Sequence, residues 1–323
     1  MARPAVASKA AGKDPPDMHP SPDDDLTRDL APAAGPATAE APAAAVTEAA
    51  PVPSPLAVAR AEIDALDDAL HDLVMRRAAV VARLAASNAK AGSPSPLRPG
   101  REAMILRRLL ARHHGALPPT ALVRLWRELL ASSSAQQGGF SVAVYARGPE
   151  HERLAREHFG SLTPLRSLPT ASRVLSAVAA GEAQVAVLPL PEEAEAPEAA
   201  WWMSLDSPRL QVIARLPFHA AQADNLLEAL AVAPGAPDPS GADRSLLRIE
   251  AAGDRSRAQL TGALTAAGLV PRMLQLRRDG GVLRALVEVD GVLTADDPRL
   301  VGLPVDRALP LGFYAAPERG DQG

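Results

Sequence analysis

The sequence predicts a multidomain α + α/β protein: a disordered N-terminal tail, a three-helix unit, a small α/β domain and a ferredoxin-like layer. Three observations predict it. Residues 1–54 are dominated by Ala, Pro, Asp and Ser, with no aromatic residue and no isoleucine. Apolar residues then recur on a heptad seam from Ile63 to Leu84. Beyond Gly138-Gly139, short apolar runs alternate with helical patterns.

At 323 residues the chain has room for two or three domains of roughly 100 to 200 residues each. Boundaries are expected to give segments 1–54, 55–138, 139–235 and 236–323. The tail cannot bury enough apolar surface to offset its ordering entropy, so disorder is expected there. From Leu56 the residues Ile63, Leu66, Leu70, Leu73, Arg77, Val80 and Leu84 step by three and four, the seam of a helix about 30 residues long. The breaker run Gly92-Ser93-Pro94-Ser95-Pro96 ends it. A second helix is expected from Pro99, a favoured first-turn residue, to a stop at Gly115. A third follows Pro118-Pro119, with Leu122, Trp126, Leu129, Ser133 and Gln137 down one face.

Strands are then expected at 140–146, 165–168 and 184–190, with helices at 150–159 and 171–180. That alternation implies parallel βαβ units. An acidic linker (192–198) and a strand at 211–216 follow, with Trp201-Trp202 expected to cover a sheet edge. After the turn-rich run 234–241, a strand (246–251), a helix (257–267), a strand (272–276), the Asp279-Gly280-Gly281 turn and a strand (283–289) give the β-α-β-turn-β start of a ferredoxin-like layer. The paired glycines read as a hairpin turn, not a phosphate loop.

Composition excludes several chemistries. Cysteine is absent, which removes thiolate nucleophiles and cysteine-ligated metals. His113-His114 sit at a helix end without a third ligand, so neither a metal nor a cofactor is expected. The net charge of -4 gives no field for wrapping nucleic acid. No apolar run is long enough to span a membrane, and the first residues build no secretory signal. A cytoplasmic protein is expected. Of the 34 basic residues, 31 are arginine; the three lysines are Lys9, Lys13 and Lys90.

Arg77 is the most informative residue, because a cation in a seam position is costly unless it meets an anion or snorkels to water. Arg60 lies 17 residues earlier, about 26 Å along the same helix, so the two cannot hold one small ligand from one chain. If Arg60 contributes, it arrives from a second, antiparallel copy of the helix, which the seam needs in any case. Position 88 lies about 20° from Arg77 around the helix.

The run Arg60-Ala-Glu-Ile-Asp-Ala-Leu-Asp67, then Arg76-Arg77, Arg98-Pro-Gly-Arg101-Glu102 and Trp126-Arg-Glu-Leu with Ser133 and Gln137, resembles the all-helical (AroQ-class) chorismate mutase domain. The resemblance implies a pericyclic rearrangement of chorismate to prephenate, a step in phenylalanine and tyrosine biosynthesis, by a homodimer built on the long first helix. It also implies roles. Arg77, and Arg60 from the second copy, would hold the substrate carboxylates. Gln137 would donate to the ether oxygen, Glu102 would accept from the ring hydroxyl, and Arg101 and Ser133 would support the site. The family places a lysine on the ether oxygen eleven residues after the Arg77 equivalent, where this chain has Asn88. Lys90 is two residues on, which is roughly 200° away on a regular helix. A shift of register near Ala85-Ala86-Ser87 would let it serve.

Residues 140 to about 218 resemble, less closely, the first lobe of prephenate dehydratase, through Phe140-Ser-Val-Ala-Val-Tyr-Ala, Gly148-Pro149, His158-Phe159-Gly160 and Val185-Ala-Val-Leu-Pro189. The family's Gly-Thr-Phe is Glu150-His151-Glu152 here, and its Thr-Arg-Phe has no match near Leu226–Ala229. Dehydratase activity is therefore not expected. Residues 243 to about 300 resemble an ACT regulatory domain, with its ligand-binding stretches altered to Gly253-Asp254-Arg255-Ser256 and Gln275-Leu276-Arg277-Arg278. Two other readings fit the same residues: a non-catalytic partner of another enzyme in the pathway, and a bifunctional mutase and dehydratase.

Overall fold

The computed structural model describes residues 54–87, 97–145, 147–220 and 226–320. The expected disordered tail up to Pro53, the breaker run 92–96, Asn88 and Lys90 lie outside them. The chain divides into two units, Met1–Val58 and Ala59–Gly323. Of the first, the described residues are Ser54–Val58, the start of a helix on which the Ser54 Oγ accepts from the Ala57 N–H at 3.2 Å.

Helix α1 (Pro55–Ala86) has no buried residue. Ile63, Leu66, Leu70 and Leu73 keep 56%, 63%, 58% and 59% of their surface exposed. The helix is half-buried at Val74, Arg77, Ala78, Val81 and Ala85, so it meets the rest of its own chain through its second half. Helix α2 (Pro99–Arg112) and helix α3 (Pro119–Ala135) each open on proline, and Gly115 turns between them at φ +92°. Their shared core is Ala103, Leu106 and Val123, closed by Phe218 and Ala315 from the sheet. Thus α2 and α3 are anchored to the C-terminal part of the chain while α1 projects.

The expected βαβ units follow: β1 (Val142–Tyr145), α4 (Pro149–Phe159), β2 (Leu165–Leu168), α5 (Ala171–Ala179) and β3 (Val185–Pro189). Strands β2 and β3 flank β1 in parallel. Next come β4 (Leu210–Leu216), β5 (His219–Ala220), β6 (Ala229–Pro234), β7 (Asp243–Ala252), α6 (Arg257–Ala266), β8 (Pro271–Asp279), β9 (Val282–Asp290), β10 (Arg307–Ala315) and β11 (Glu318–Arg319). Strand β6, unexpected from sequence, runs antiparallel between β3 and β4. Strand β10, also unexpected, completes the ferredoxin-like set by pairing antiparallel with β7. A single 3-10 turn, Pro298–Leu300, stands where the β-α-β-β-α-β pattern has its second helix.

Nine of these strands form one sheet, in the order β2-β1-β3-β6-β4-β10-β7-β9-β8, and β5 and β11 pair in a separate two-stranded sheet. The α/β part and the ferredoxin-like part, expected as separate segments, therefore share a sheet. Among the described residues they meet at one register pair, Gly312 on Val212. Gly312 has φ +123°, and a Cβ there would lie 2.3 Å from the Val212 carbonyl oxygen, so the join requires glycine. Charged side chains brace it. The Arg215 guanidinium donates to Glu228 at 2.7 Å and to Glu288 at 3.0 Å, and the Tyr314 hydroxyl donates to Glu288 at 2.6 Å.

Trp201 and Trp202 do not cover an edge. Both are buried within the core under the sheet, because the Trp201 indole N–H reaches the Pro189 carbonyl at 3.0 Å and large aromatic surface is best removed from water whole. The two stretches likened from sequence to ACT ligand-binding turns, 253–256 and 275–278, make structural bonds. Ser256 makes a capping box with Gln259 on α6, the Gly253 N–H donates to Gly281 at 2.9 Å, and Arg277 donates to the Glu195 carbonyl at 2.9 Å.

Candidate active site

The site begins with Arg77, whose place on the α1 seam turns it toward α3. Its Nη1 donates to the Ser133 Oγ at 2.6 Å and to the Leu129 carbonyl at 3.1 Å. Ser133 in turn donates to the same Leu129 carbonyl at 2.7 Å, which fixes the hydroxyl with a lone pair toward the guanidinium. Burial draws the Arg77 pKa down, yet a guanidinium stays charged at any physiological pH. Among the described residues no carboxylate forms an ion pair with it. A half-buried cation held by neutral acceptors is a place for an anion.

Gln137 lies just past the end of α3, one turn beyond Ser133. One N–H of its amide donates to the Ser133 carbonyl at 2.7 Å, which ties the amide to the Arg77 side of the helix. Arg77, Ser133 and Gln137, three of the residues singled out from sequence, are thus brought together. On the α3 face that carries Ser133 and Gln137, Ser133 is buried and Leu122, Trp126, Leu129 and Gln137 are half-buried.

Glu102 is buried on α2 and accepts from the Arg127 Nη1 at 2.9 Å. Arg127 was not singled out from sequence. It belongs to a second, more deeply buried stripe of α3, Val123, Arg127, Leu130 and Ser134, and that interruption of an apolar i, i+4, i+7 row was the available signal. Its guanidinium also lies 5.7 Å from the Phe218 ring centroid, a favourable cation–π distance. Burial pulls the Arg127 pKa down, and the Glu102 charge and hydrogen bond oppose that. Beyond it, the His158 imidazole is pushed well below its ordinary pKa, first by burial and then by the Arg127 charge.

Two expected residues stand apart. Arg101 is exposed, and its guanidinium has no acceptor among the described residues; its backbone N–H is held by Asp238 at 3.0 Å. Arg60 is exposed on α1, about 26 Å along the helix from Arg77. Asn88 and Lys90 lie outside the described residues. Among those residues no group of three or more His, Asp or Glu could hold a metal ion, and no helix is long and apolar enough to cross a membrane.

At the dehydratase-like strands, Glu228, just before β6, stands in the stretch where Thr-Arg-Phe is missing. It accepts from Arg215 and from Arg319. Glu152 of α4, in the Glu150-His151-Glu152 stretch, accepts from the Ser167 hydroxyl.

Residues 59–138 match the family model for chorismate mutase type II. Two curated proteins described as bifunctional chorismate mutase/prephenate dehydratase, from Stutzerimonas stutzeri and from Pseudomonas aeruginosa, are each 31% identical over 147 residues. The match covers 43% of this chain and 40% of each relative, so the chain spans well under two thirds of their length. Among solved structures, a prephenate dehydratase from Arthrobacter aurescens in complex with L-Phe overlaps with a TM-score of 0.41 at 14% identity, covering 54% of this chain and 89% of that one. GqqA, described as a novel type of quorum quenching acylase, overlaps with a TM-score of 0.45 at 16% identity, covering 55% and 96%.

Proposed function

We propose that residues 59–138, matched as a type II chorismate mutase segment, convert chorismate to prephenate in a homodimer, and that the sheet beyond them has no dehydratase activity. The reaction is pericyclic and needs no cofactor and no covalent intermediate. Catalysis then consists of holding the compact conformer and placing donors where negative charge grows on the breaking ether oxygen. The observation that carries this reading is the half-buried Arg77, with neutral acceptors at 2.6 and 3.1 Å and no carboxylate partner among the described residues. Such a guanidinium can take a substrate carboxylate without first giving up an ion pair.

In this reading Arg77 holds one carboxylate and Arg60 of a second copy holds the other. Ser133 orients Arg77. Gln137 donates to the ether oxygen, Glu102, held by Arg127, accepts from the ring hydroxyl, and Arg101 supplies positive charge at the rim. Lys90, the one lysine outside the tail, serves as the charged donor in place of Asn88. The exposed seam of α1 supports dimerisation, since Ile63, Leu66, Leu70 and Leu73 are more than half exposed and burying each contributes about 1.5 to 3 kcal/mol. The small-molecule substrate, the absence of any role for membrane or nucleic acid, and action in the cytoplasm belong to the same proposal. The ion-paired Glu228 supports the loss of dehydratase activity.

The test mixes full-length protein with chorismate, follows its ultraviolet absorbance, and then assays phenylpyruvate. Loss of chorismate without phenylpyruvate is expected. Phenylpyruvate would make the protein bifunctional, and an unchanged chorismate signal would refute the enzyme reading. Arg77→Ala should abolish turnover. Lys90→Ala with full activity would return the ether-oxygen role to Asn88.

A further inference from the structure

We propose that Asp238, in the loop between β6 and β7, is a positioning residue for the reaction: it fixes the first turn of α2, the turn that carries Arg101 and Glu102. This inference rests on the mutase reading above.

The first backbone N–H groups of a helix have no partner within it. At the start of α2, Pro99 removes one of them and Arg98 supplies no side-chain cap. The Gly100 and Arg101 N–H groups instead donate to the two carboxylate oxygens of Asp238, at 3.2 and 3.0 Å. The Arg98 guanidinium adds a contact at 3.4 Å. A carboxylate in this place satisfies two donors and sets negative charge at the positive end of the helix dipole.

The approach is specific to this pair. A Cβ at Gly100 would lie 2.0 Å from the Asp238 carbonyl oxygen, so no other residue permits it. Two turns on, Arg107 fastens α2 to the same loop. It donates to the Ser240 Oγ at 2.9 Å, to the Ala242 carbonyl at 2.9 Å and to the Ala316 carbonyl at 2.8 Å, and it pairs with Glu318 at 2.6 Å. The loop is itself braced, since Asp243 accepts from the Ser240 N–H at 2.9 Å and from its hydroxyl at 2.6 Å.

Local sequence therefore does not set where α2 begins; a residue more than 130 positions away does. Glu102 sits in the capped turn beside Arg101, and its carboxylate must face both Arg127 and the substrate. Small misplacements of such groups are expensive in rate.

The test compares full-length wild type with Asp238→Ala, Asp238→Asn and Gly100→Ala. It reads chorismate kinetics at 25 °C, the thermal midpoint, and hydrogen exchange of the amides at 100–102. The amide in Asp238→Asn keeps one acceptor oxygen and turns its NH2 toward the other N–H, so it replaces only one of the two bonds. Asp238→Ala and Gly100→Ala should lower kcat/KM by about tenfold, and Asp238→Asn, which keeps one of the two bonds, should fall between Asp238→Ala and wild type. In Asp238→Ala the α2 amides should exchange faster at a temperature where the protein stays folded. A lower midpoint with kcat/KM within twofold of wild type would overturn the proposal, because a merely structural cap behaves that way. A wild type inert toward chorismate would fault the mutase reading; exchange would then decide the coupling alone, faster α2 exchange in Asp238→Ala supporting it and unchanged exchange overturning it.

Discussion

Replacing Leu66 by Glu tests the proposed dimer most directly. Glu and Leu have similar helix propensities, so α1 itself should persist. In the single chain Leu66 is 63% exposed, so nothing within the chain suffers from the change. In a two-fold dimer the same patch meets itself and each substitution acts twice. Burial of one leucine contributes about 1.5 to 3 kcal/mol, so two lost leucines weaken association by about 3 to 6 kcal/mol, or roughly 10²- to 10⁴-fold in Kd. Sedimentation equilibrium over a range of concentrations reads that shift directly, with far-ultraviolet circular dichroism checking the helix. Mutase activity should fall in step with the monomer fraction, because Arg60 and Arg77 can meet at one substrate only across two chains. A Leu66→Glu protein that stays dimeric at the wild-type concentration would refute the seam. A monomer with full activity would refute the shared site.

Further outcomes follow from the buried polar groups. Arg127→Met removes the buried 2.9 Å ion pair with Glu102, and breaking a buried pair in this way should cost about 3 to 5 kcal/mol in urea unfolding. His158 prefers its neutral form when folded, so the unfolded chain binds the extra proton once the pH drops below about 6.5. Stability should therefore be level above that pH and decline below it, by up to about 1.4 kcal/mol per pH unit from this group. Urea midpoints for His158→Gln, compared between pH 7.5 and 5.5, should show a shallower decline than wild type. Tyr314→Phe removes the 2.6 Å hydrogen bond to Glu288 and should cost about 1 to 3 kcal/mol, read as a lower thermal midpoint with chorismate turnover at 25 °C unchanged.

The parts of the fold that could be read in the sequence are those where one periodicity decides. The α1 seam is visible because apolar residues recur at steps of three and four on either side of Arg77, and Pro99 and Pro118-Pro119 mark the next two helix starts. Strand β6 escaped because Ala-Leu-Ala-Val-Ala-Pro is half alanine, a poor strand former without alternation. Strand β10 escaped because Pro310 and Gly312 argue against a strand; here they form the bulge and the close approach that join the sheet. At the site, Arg77 could be picked out as a cation in the α1 seam, and Ser133 and Gln137 as polar residues that continue one apolar face of α3. Arg127 and Asp238 were harder to read. One is concealed in an apolar stripe, and the other acts on a helix start far away in sequence, where spacing carries no information.

The single register pair at Gly312 and the Arg215, Glu288 and Tyr314 bonds around it bear on how the molecule can be cut. A chain ended after Pro234 would lose Glu288 and Tyr314, stranding Arg215 with half its partners, and would uncover the apolar underside where Leu246, Leu286 and Leu311 pack with Leu210 and Val212. The ferredoxin-like part is thus not a detachable module. It and the α/β part should melt in one calorimetric transition, and a deletion series stepping back from residue 320 should lose solubility abruptly rather than release a smaller folded core.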